Sequence, residues 1–255
     1  MAPRTDEGWF APAAPRVLAH RGLAVEAPEN TLLAFLKALA TGVDYVETDV
    51  HASADGVAII SHDPDLTRLA GREVRIGQLT AAELARIDLG AGQGYPTLAQ
   101  ALDAFPDARF NIDIKDEAAA EPAVAAILAA RATDRVLIGS FSGRRRLAAV
   151  RRLPGVATSV SSVGVAVAIA AATLGLHGIV RRALHGVDAM QIPLRVLGMP
   201  TTTPRVIAAV HAAGIEMHIW TVNDPAVMRR LLDRGVDGIF TDRCDLAMDV
   251  VRRRS

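Results

Sequence analysis

Short apolar runs alternate with longer stretches of helical period along nearly the whole chain, and eight such runs can be counted. They are Val17–His20, Tyr45–Val50, Arg109–Ile114, Arg135–Ser140, Val156–Val160, Ala189–Pro193, Ile215–Thr221 and Gly238–Thr241. Helical stretches fall between them, among them Thr31–Ala40, Glu121–Ala130, Arg144–Arg151, Pro204–Ala213 and Pro225–Asp233. An apolar run followed by a helix and a second run is a βαβ unit, which pairs its strands in parallel. Eight strand-helix pairs in 255 residues fit one closed barrel better than an open sheet. No glycine-rich dinucleotide fingerprint or phosphate loop follows the first run, so a nucleotide-binding doubly wound sheet is the weaker reading. The expected fold is therefore α/β, a TIM (β/α)8 barrel over residues 16–255, with residues 1–15 as an N-terminal extension.

One long interruption runs from His62 to Gly94, where five glycines surround a short helical piece, Ala81–Arg86. It reads as a small rim insertion after the second strand, at about residues 63–95. Its apolar residues Leu66, Leu69, Ile76 and Leu79 either line a groove or, more commonly for an insertion, form a core of their own. Val163–Val180 has only Thr173 and His177 as clearly polar side chains. Three glycines interrupt it and it sits where the alternation needs a buried outer helix, so we expect a core helix there and no transmembrane segment. The first 16 residues lack the apolar run of a secretory signal, and the single cysteine, Cys244, excludes an intrachain disulfide framework; a cytoplasmic setting is expected. The 28 basic and 28 acidic residues balance, which removes the overall basic field that gathers nucleic acid. Oligomeric state is left open.

Chemistry on such a barrel sits at the C-terminal ends of the strands. The first strand ends in His20-Arg21-Gly22, and the second carries Glu47 and Asp49, two residues apart and so on one face. The third reads Asn111-Ile112-Asp113-Ile114-Lys115, sending Asn111, Asp113 and Lys115 one way and the isoleucines the other. Three carboxylates at one mouth, Glu47, Asp49 and Asp113, repel one another unless a cation lies between them, and all-oxygen ligands suit Mg²⁺ or Ca²⁺. Of the 28 basic residues only Lys37 and Lys115 are lysines, so a compact ammonium at position 115 is informative and suits a crowded phosphate site. Among seven histidines, His20 and His62 would reach the same mouth, where paired imidazoles can supply an acid and a base near neutral pH. His218 reads as a satisfied core histidine, His177, His185 and His211 as surface or packed residues, and His51 as a weaker candidate that continues the parity of Glu47 and Asp49.

These residues, in their order and spacing, resemble the glycerophosphodiester phosphodiesterase family. The likeness runs through His20-Arg21-Gly22, Pro28-Glu29-Asn30-Thr31, Glu47-Thr48-Asp49, Asp55-Gly56, His62-Asp63, Asn111 to Lys115, Trp220-Thr221-Val222-Asn223 and Asp237 to Asp242. The resemblance implies a TIM barrel with an insertion after the second strand. By similarity His20 and His62 are the acid-base pair, Glu47, Asp49 and Asp113 the ligands of a divalent metal, and Arg21 and Lys115 the phosphate clamps. Trp220 lines the pocket for the glycerol or the leaving group. The implied reaction is hydrolysis of a small-molecule glycerophosphodiester to sn-glycerol 3-phosphate and an alcohol. The alternatives are lysophospholipase D-type cleavage of lysophospholipids and a non-catalytic phosphate-ester-binding barrel. The family usually carries Glu where this chain has Asp113, and often proline where it has Cys244, which is expected to alter only a loop. Pro28-Glu29-Asn30-Thr31 is read mainly as structural, with Asn30 or Thr31 capping the following helix.

Overall fold

The computed structural model describes residues 8–196 and 198–254. Eight parallel strands carry the barrel: β1 (Arg16–His20), β2 (Tyr45–Ala52), β3 (Arg109–Ile114), β4 (Val136–Gly139), β5 (Ala157–Thr158), β6 (Ala189–Pro193), β7 (Glu216–Trp220) and β8 (Gly238–Thr241). The outer helices are α1 (Leu32–Ala40), α2 (Leu98–Ala104), α3 (Ala120–Ala129), α4 (Gly143–Val150), α5 (Ser162–Thr173), α6 (His177–Ala183), α7 (Pro204–His211), α8 (Pro225–Asp233) and α9 (Cys244–Arg252). The strand order β5-β4-β3-β2-β1-β8-β7-β6 leaves one seam, between β5 and β6. There a single bridge, Ser159 to Ala189, and a bond from Asp188 N–H to Thr158 O (2.8 Å) nearly close the ring. Strand β5 is shorter than the expected Val156–Val160, and on its seam side the Asp188 carboxylate takes the Thr158 N–H (3.0 Å).

Local chemistry explains where the helices start. Thr203 and Asp224 cap α7 and α8 with their side chains, each followed by a proline in the first turn, where no N–H is needed. Thr31, not Asn30, caps α1 by accepting from Ala34 N–H (3.2 Å), while Asn30 sits at φ 57° just before it. The apolar alternate positions of the strands, such as Val46, Val50, Phe110, Ile112 and Ile114, face the helices and form the main core with them. The opposite positions fill the barrel interior, and at its lower end they are polar. Arg16 donates to both carboxylate oxygens of Glu216 (2.7 Å each) and to the Tyr45 hydroxyl (2.6 Å). Trp9 and Phe10, from a single 3-10 turn, are almost fully buried against this layer, and the Trp9 indole N–H donates to Phe110 O (3.1 Å). Residues 1–7 of the expected N-terminal extension lie outside the described residues.

Two expectations are corrected. Val163–Val180 is not one buried helix: it breaks at Leu174-Gly175-Leu176 into α5 and α6, Gly175 taking φ 75°, and its outer face lies open, with Val163 and Leu174 at 78% and 72% exposure. Apolar composition marked the burial of one face but carried no signal for the other. Cys244 is not in a loop; it opens α9, fully buried against the core. No helix among the described residues is long and apolar enough to cross a membrane. In the rim insertion Leu66 and Ile76 are buried, with Leu69 and Leu79 packed against them and Ile59, Leu84, Ile87 and Tyr95, so these residues form a small core and not a groove.

Candidate active site

All eight side chains singled out in the sequence line one cavity of about 400 Å³ at the C-terminal ends of the strands: His20, Arg21, Glu47, Asp49, His62, Asp113, Lys115 and Trp220. Register sets four of them in two successive rows, His20 beside Glu47 across β1 and β2, and Asp49 beside Asp113 across β2 and β3. Gly22 is required beside them. It adopts φ 84°, and a Cβ there would stand 2.7 Å from the Ala34 backbone, so only glycine lets the chain turn from His20-Arg21 into α1.

Each of the two histidines has a carboxylate at Nδ1. His20 Nδ1 is 2.6 Å from Asp242 Oδ1, and Asp242 Oδ2 accepts from Asn223 (2.7 Å). His62 Nδ1 is 2.8 Å from Asp63 Oδ1. Both rings thereby keep Nε2 for another partner. Burial works against the charged form of His20, but the Asp242 bond and the field of Glu47 outweigh it and raise its pKa. The same bond holds the Asp242 carboxyl below the usual range.

Lys115 and Arg21 supply the positive charge. Lys115 Nζ lies 2.8 Å from both Asp49 Oδ1 and Asp113 Oδ2, and these two carboxylates overcome burial to raise its pKa. Arg21 donates to Glu29 (3.0 Å) and stands 3.5 Å from Asp49 through Nε, which is buried without a hydrogen-bond partner. Asn30 donates to Asp49 Oδ2 (3.1 Å) and accepts from Thr48, so the Pro28-Glu29-Asn30-Thr31 segment holds site residues as well as starting a helix.

Glu47 is the most strained of the acids: burial first, then Asp49 beside it, push its carboxyl well up. Asp113 is also raised by burial, with Lys115 holding it back. As placed, no three such groups among the described residues stand together as a ligand cluster, because the Lys115 ammonium takes the position between Asp49 and Asp113. The donor set nevertheless fits a hard cation. It is all oxygen, and Glu47 and Asp49 are buried side by side, so that a cation would offset the repulsion between their carboxylates.

Several residues that hold this arrangement carried no separate signal in the sequence. Asp242 and Asn223 lie just past β8 and β7, and their reach to His20 exists only because β8 closes against β1. Arg68, in the rim insertion, bonds to Glu29 (2.5 and 3.1 Å) and to Asp63 (2.6 Å), tying the partner of Arg21 to the partner of His62. His51 is buried, with Nδ1 2.9 Å from Asp116 and Nε2 3.3 Å from the His62 carbonyl, so it backs the His62 loop and does not line the cavity. His218 is fully buried on Glu216 (3.0 Å), the core histidine expected. Apolar residues also line the cavity, namely Phe141, Val160, Val165, Ile192 and Val196; the Phe141 ring lies 5.8 Å from the Lys115 ammonium and meets Trp220 edge to face at 6.0 Å.

Comparison with known proteins identifies the family and the fold. The sequence profile of the "Glycerophosphoryl diester phosphodiesterase family" matches residues 20–246. A Mycobacterium tuberculosis protein named probable glycerophosphodiester phosphodiesterase 2 is 44% identical over 239 residues, covering 93% of this chain and 90% of its own. A solved glycerophosphodiester phosphodiesterase from Agrobacterium tumefaciens superposes with a TM-score of 0.77 at 26% identity, over 93% of this chain and 99% of that one. An Oleispira antarctica phosphodiesterase, solved in complex with the product sn-glycerol-3-phosphate, gives 0.74 at 25% identity over 94% and 97%. The chain belongs to the glycerophosphoryl diester phosphodiesterase family.

Proposed function

We propose that this cavity hydrolyses glycerophosphodiesters to sn-glycerol 3-phosphate and an alcohol, with His20 and His62 moving the protons and a divalent cation, Mg²⁺ or Ca²⁺, held by Glu47, Asp49 and Asp113. The chain is a phosphoric diester hydrolase by its family. The observation that carries the mechanism is the convergence of two carboxylate-backed imidazoles, two cations and three acids on one cavity of about 400 Å³.

Arg21 and Lys115 receive the phosphate: the unpartnered Nε of Arg21 is a buried donor suited to an anion, and Lys115 is a compact charge beside it. His20, shifted toward its charged form and oriented by Asp242, donates its Nε2 proton to the departing alcohol oxygen. His62, held through Nδ1 by Asp63, accepts the proton of the attacking water; where the neighbouring glycerol hydroxyl attacks first, a water then opens the resulting cyclic phosphate with the two histidines in exchanged roles. Trp220 bounds the space for the glycerol or the leaving group. A cation on the acids would act as Lewis acid toward a nonbridging phosphate oxygen. The lone, buried cysteine suits a reducing compartment, and we place the reaction in the cytoplasm.

The apolar residues Phe141, Val160, Val165, Ile192 and Val196 favour a second reading of the glycerol side, in which a lysophospholipid presents its acyl chain there, the head-group alcohol departs and lysophosphatidic acid is released. One experiment tests both. Release of glycerol 3-phosphate or lysophosphatidic acid is followed on a panel of soluble glycerophosphodiesters and lysophospholipids, with Mg²⁺, Ca²⁺, Mn²⁺ or chelator, on wild type, His20→Ala and His62→Ala. Turnover abolished by chelator and lowered about 10²–10⁴-fold by either histidine variant supports the proposal. Undiminished turnover in either variant overturns it.

A further inference from the structure

Two properties that proteins usually disperse are gathered on one side of this barrel. Of eleven large apolar side chains exposed among the described residues, eight fall between positions 141 and 194, including Phe141, Val163, Val167, Leu174, Leu176 and Ile179. Residues 141–205 also hold nine arginines and one acidic residue, Asp188, in a chain whose charges balance overall. The remaining surface is correspondingly acidic.

The two properties interleave. Val163, Val167 and Leu174, four and seven residues apart, share one face of α5, which therefore turns an apolar stripe to water. Helix α6 packs against α5 and extends the stripe with Ile179 before ending in the exposed pair Arg181 and Arg182. No Asp, Glu, Lys or Arg occurs from Leu153 to Val180. On the other flank, α4 exposes Leu147 between Arg144, which pairs with Glu117 (2.7 Å), and Arg151, which caps the end of the helix. A contiguous apolar surface with arginines in excess at its rim, where Arg144 and Arg152 pair with Glu117 and Glu121, marks a binding face and not an ordinary solvated one.

The sign of the rim decides the occupant. Two copies of this chain meeting through the face would bring arginine against arginine with few acids to relieve them. A bilayer with anionic lipids offers the complement of both features, negative headgroups for the arginines and an acyl boundary for α5 and α6. We propose that this face is a docking surface for an anionic lipid bilayer. Its upper edge is the rim of the cavity. Ser162 and Val165 line the cavity while Val163, between them, points outward, and Phe141 is 57% exposed at the mouth. Docking sets the apolar residues of the cavity beside the lipid surface, the source of phosphodiesters with an acyl chain; that consequence rests on the catalytic reading above, whereas docking does not.

The test is flotation of the full chain with vesicles of phosphatidylcholine alone, or mixed with phosphatidylglycerol, at low and high salt. Wild type should float with the mixed vesicles at low salt, leave them at high salt, and ignore pure phosphatidylcholine. Leu174→Gln/Leu176→Gln should weaken partitioning roughly tenfold. Arg181→Gln/Arg182→Gln should weaken it about fivefold per arginine. None of these residues lines the cavity, so each variant should turn over a soluble glycerophosphodiester at the wild-type rate. Absence of wild-type flotation at low salt overturns the proposal, as does equal flotation of wild type and both variants. A stable dimer in light scattering that Leu174→Gln/Leu176→Gln splits would also overturn it and assign the face to a second copy. Because soluble turnover is read separately, failure of the catalytic reading is told apart from failure of docking.

Discussion

His20 Nδ1 lies 2.6 Å from Asp242 Oδ1, a bond between the first and last strands of the barrel that fixes which nitrogen of His20 is free to act. Asp242 also raises the pKa of His20 against the effect of burial. Asp242→Asn should therefore lower kcat about 10²-fold with KM changed by less than about twofold, because the ring loses its tautomer and its charge but not its place. The sign of the pH effect follows. A proton donor with a lowered pKa is depleted earlier as pH rises, so the alkaline limb of the kcat profile should move to lower pH. A profile that stays in place would remove His20 from the donor role.

Arg68 joins Glu29, the partner of Arg21, to Asp63, the partner of His62. It is about half exposed, so its contribution to stability should be small. Its contribution to geometry should be larger, since one side chain positions a phosphate clamp and a proton carrier together. Arg68→Ala should lower kcat/KM roughly tenfold, through both parameters, and leave the unfolding free energy within about 0.5 kcal/mol of wild type. Steady-state kinetics and urea denaturation on the same sample separate the two.

Glu216 anchors the lower end of the barrel on Arg16. Burial alone would raise its carboxyl, but the bonds from Arg16 and His218 outweigh that and hold it down at about 2, below its ordinary value of 4.5. A carboxylate depressed in the folded state contributes stability that is complete above the unfolded pKa and is lost as pH falls toward the folded one. The contribution is on the order of 3 kcal/mol. Glu216→Gln should lose about that much at pH 7 and converge with wild type as pH drops from about 4.5 to about 2. Urea denaturation across that range reads it directly. A Glu216→Gln deficit that persists at the acid end would point to the fit of the side chain between Arg16 and His218 and not to its charge.

The part of the site that was legible in the sequence is the part governed by local rules. Period two places Glu47 with Asp49 and Asn111 with Asp113 on one face, and the barrel brings those faces to one mouth. Asp242 stands in a quoted motif, yet its partnership with His20 depends on ring closure, which no local pattern encodes. Arg68 is one arginine among many, and only the folded rim insertion shows that it lies between Glu29 and Asp63. Trp9 sits in a turn of three residues with no periodicity to announce its burial. The break of Val163–Val180 into two helices with an open face escaped a reading based on composition, because valine and alanine look the same whether they meet a core or a lipid surface.

Lys115 bridges Asp49 and Asp113 at 2.8 Å each, so the ammonium and a metal ion draw on the same oxygens. The proposed site then makes opposite predictions for binding and for turnover. Lys115→Met removes the competing charge, and the affinity for Mg²⁺ or Ca²⁺ measured by calorimetry should rise roughly tenfold, as two carboxylates are released to the cation. The same variant loses a phosphate clamp, and kcat/KM should fall about 10²-fold or more even with the metal saturating. Lys115→Arg should not rescue it, because a planar fork cannot take the compact position between two carboxylates. If cation affinity falls in Lys115→Met, the ammonium is assembling the acids and not competing for them. Asp113 would then be a partner of Lys115 alone, leaving Glu47 and Asp49 as the protein ligands.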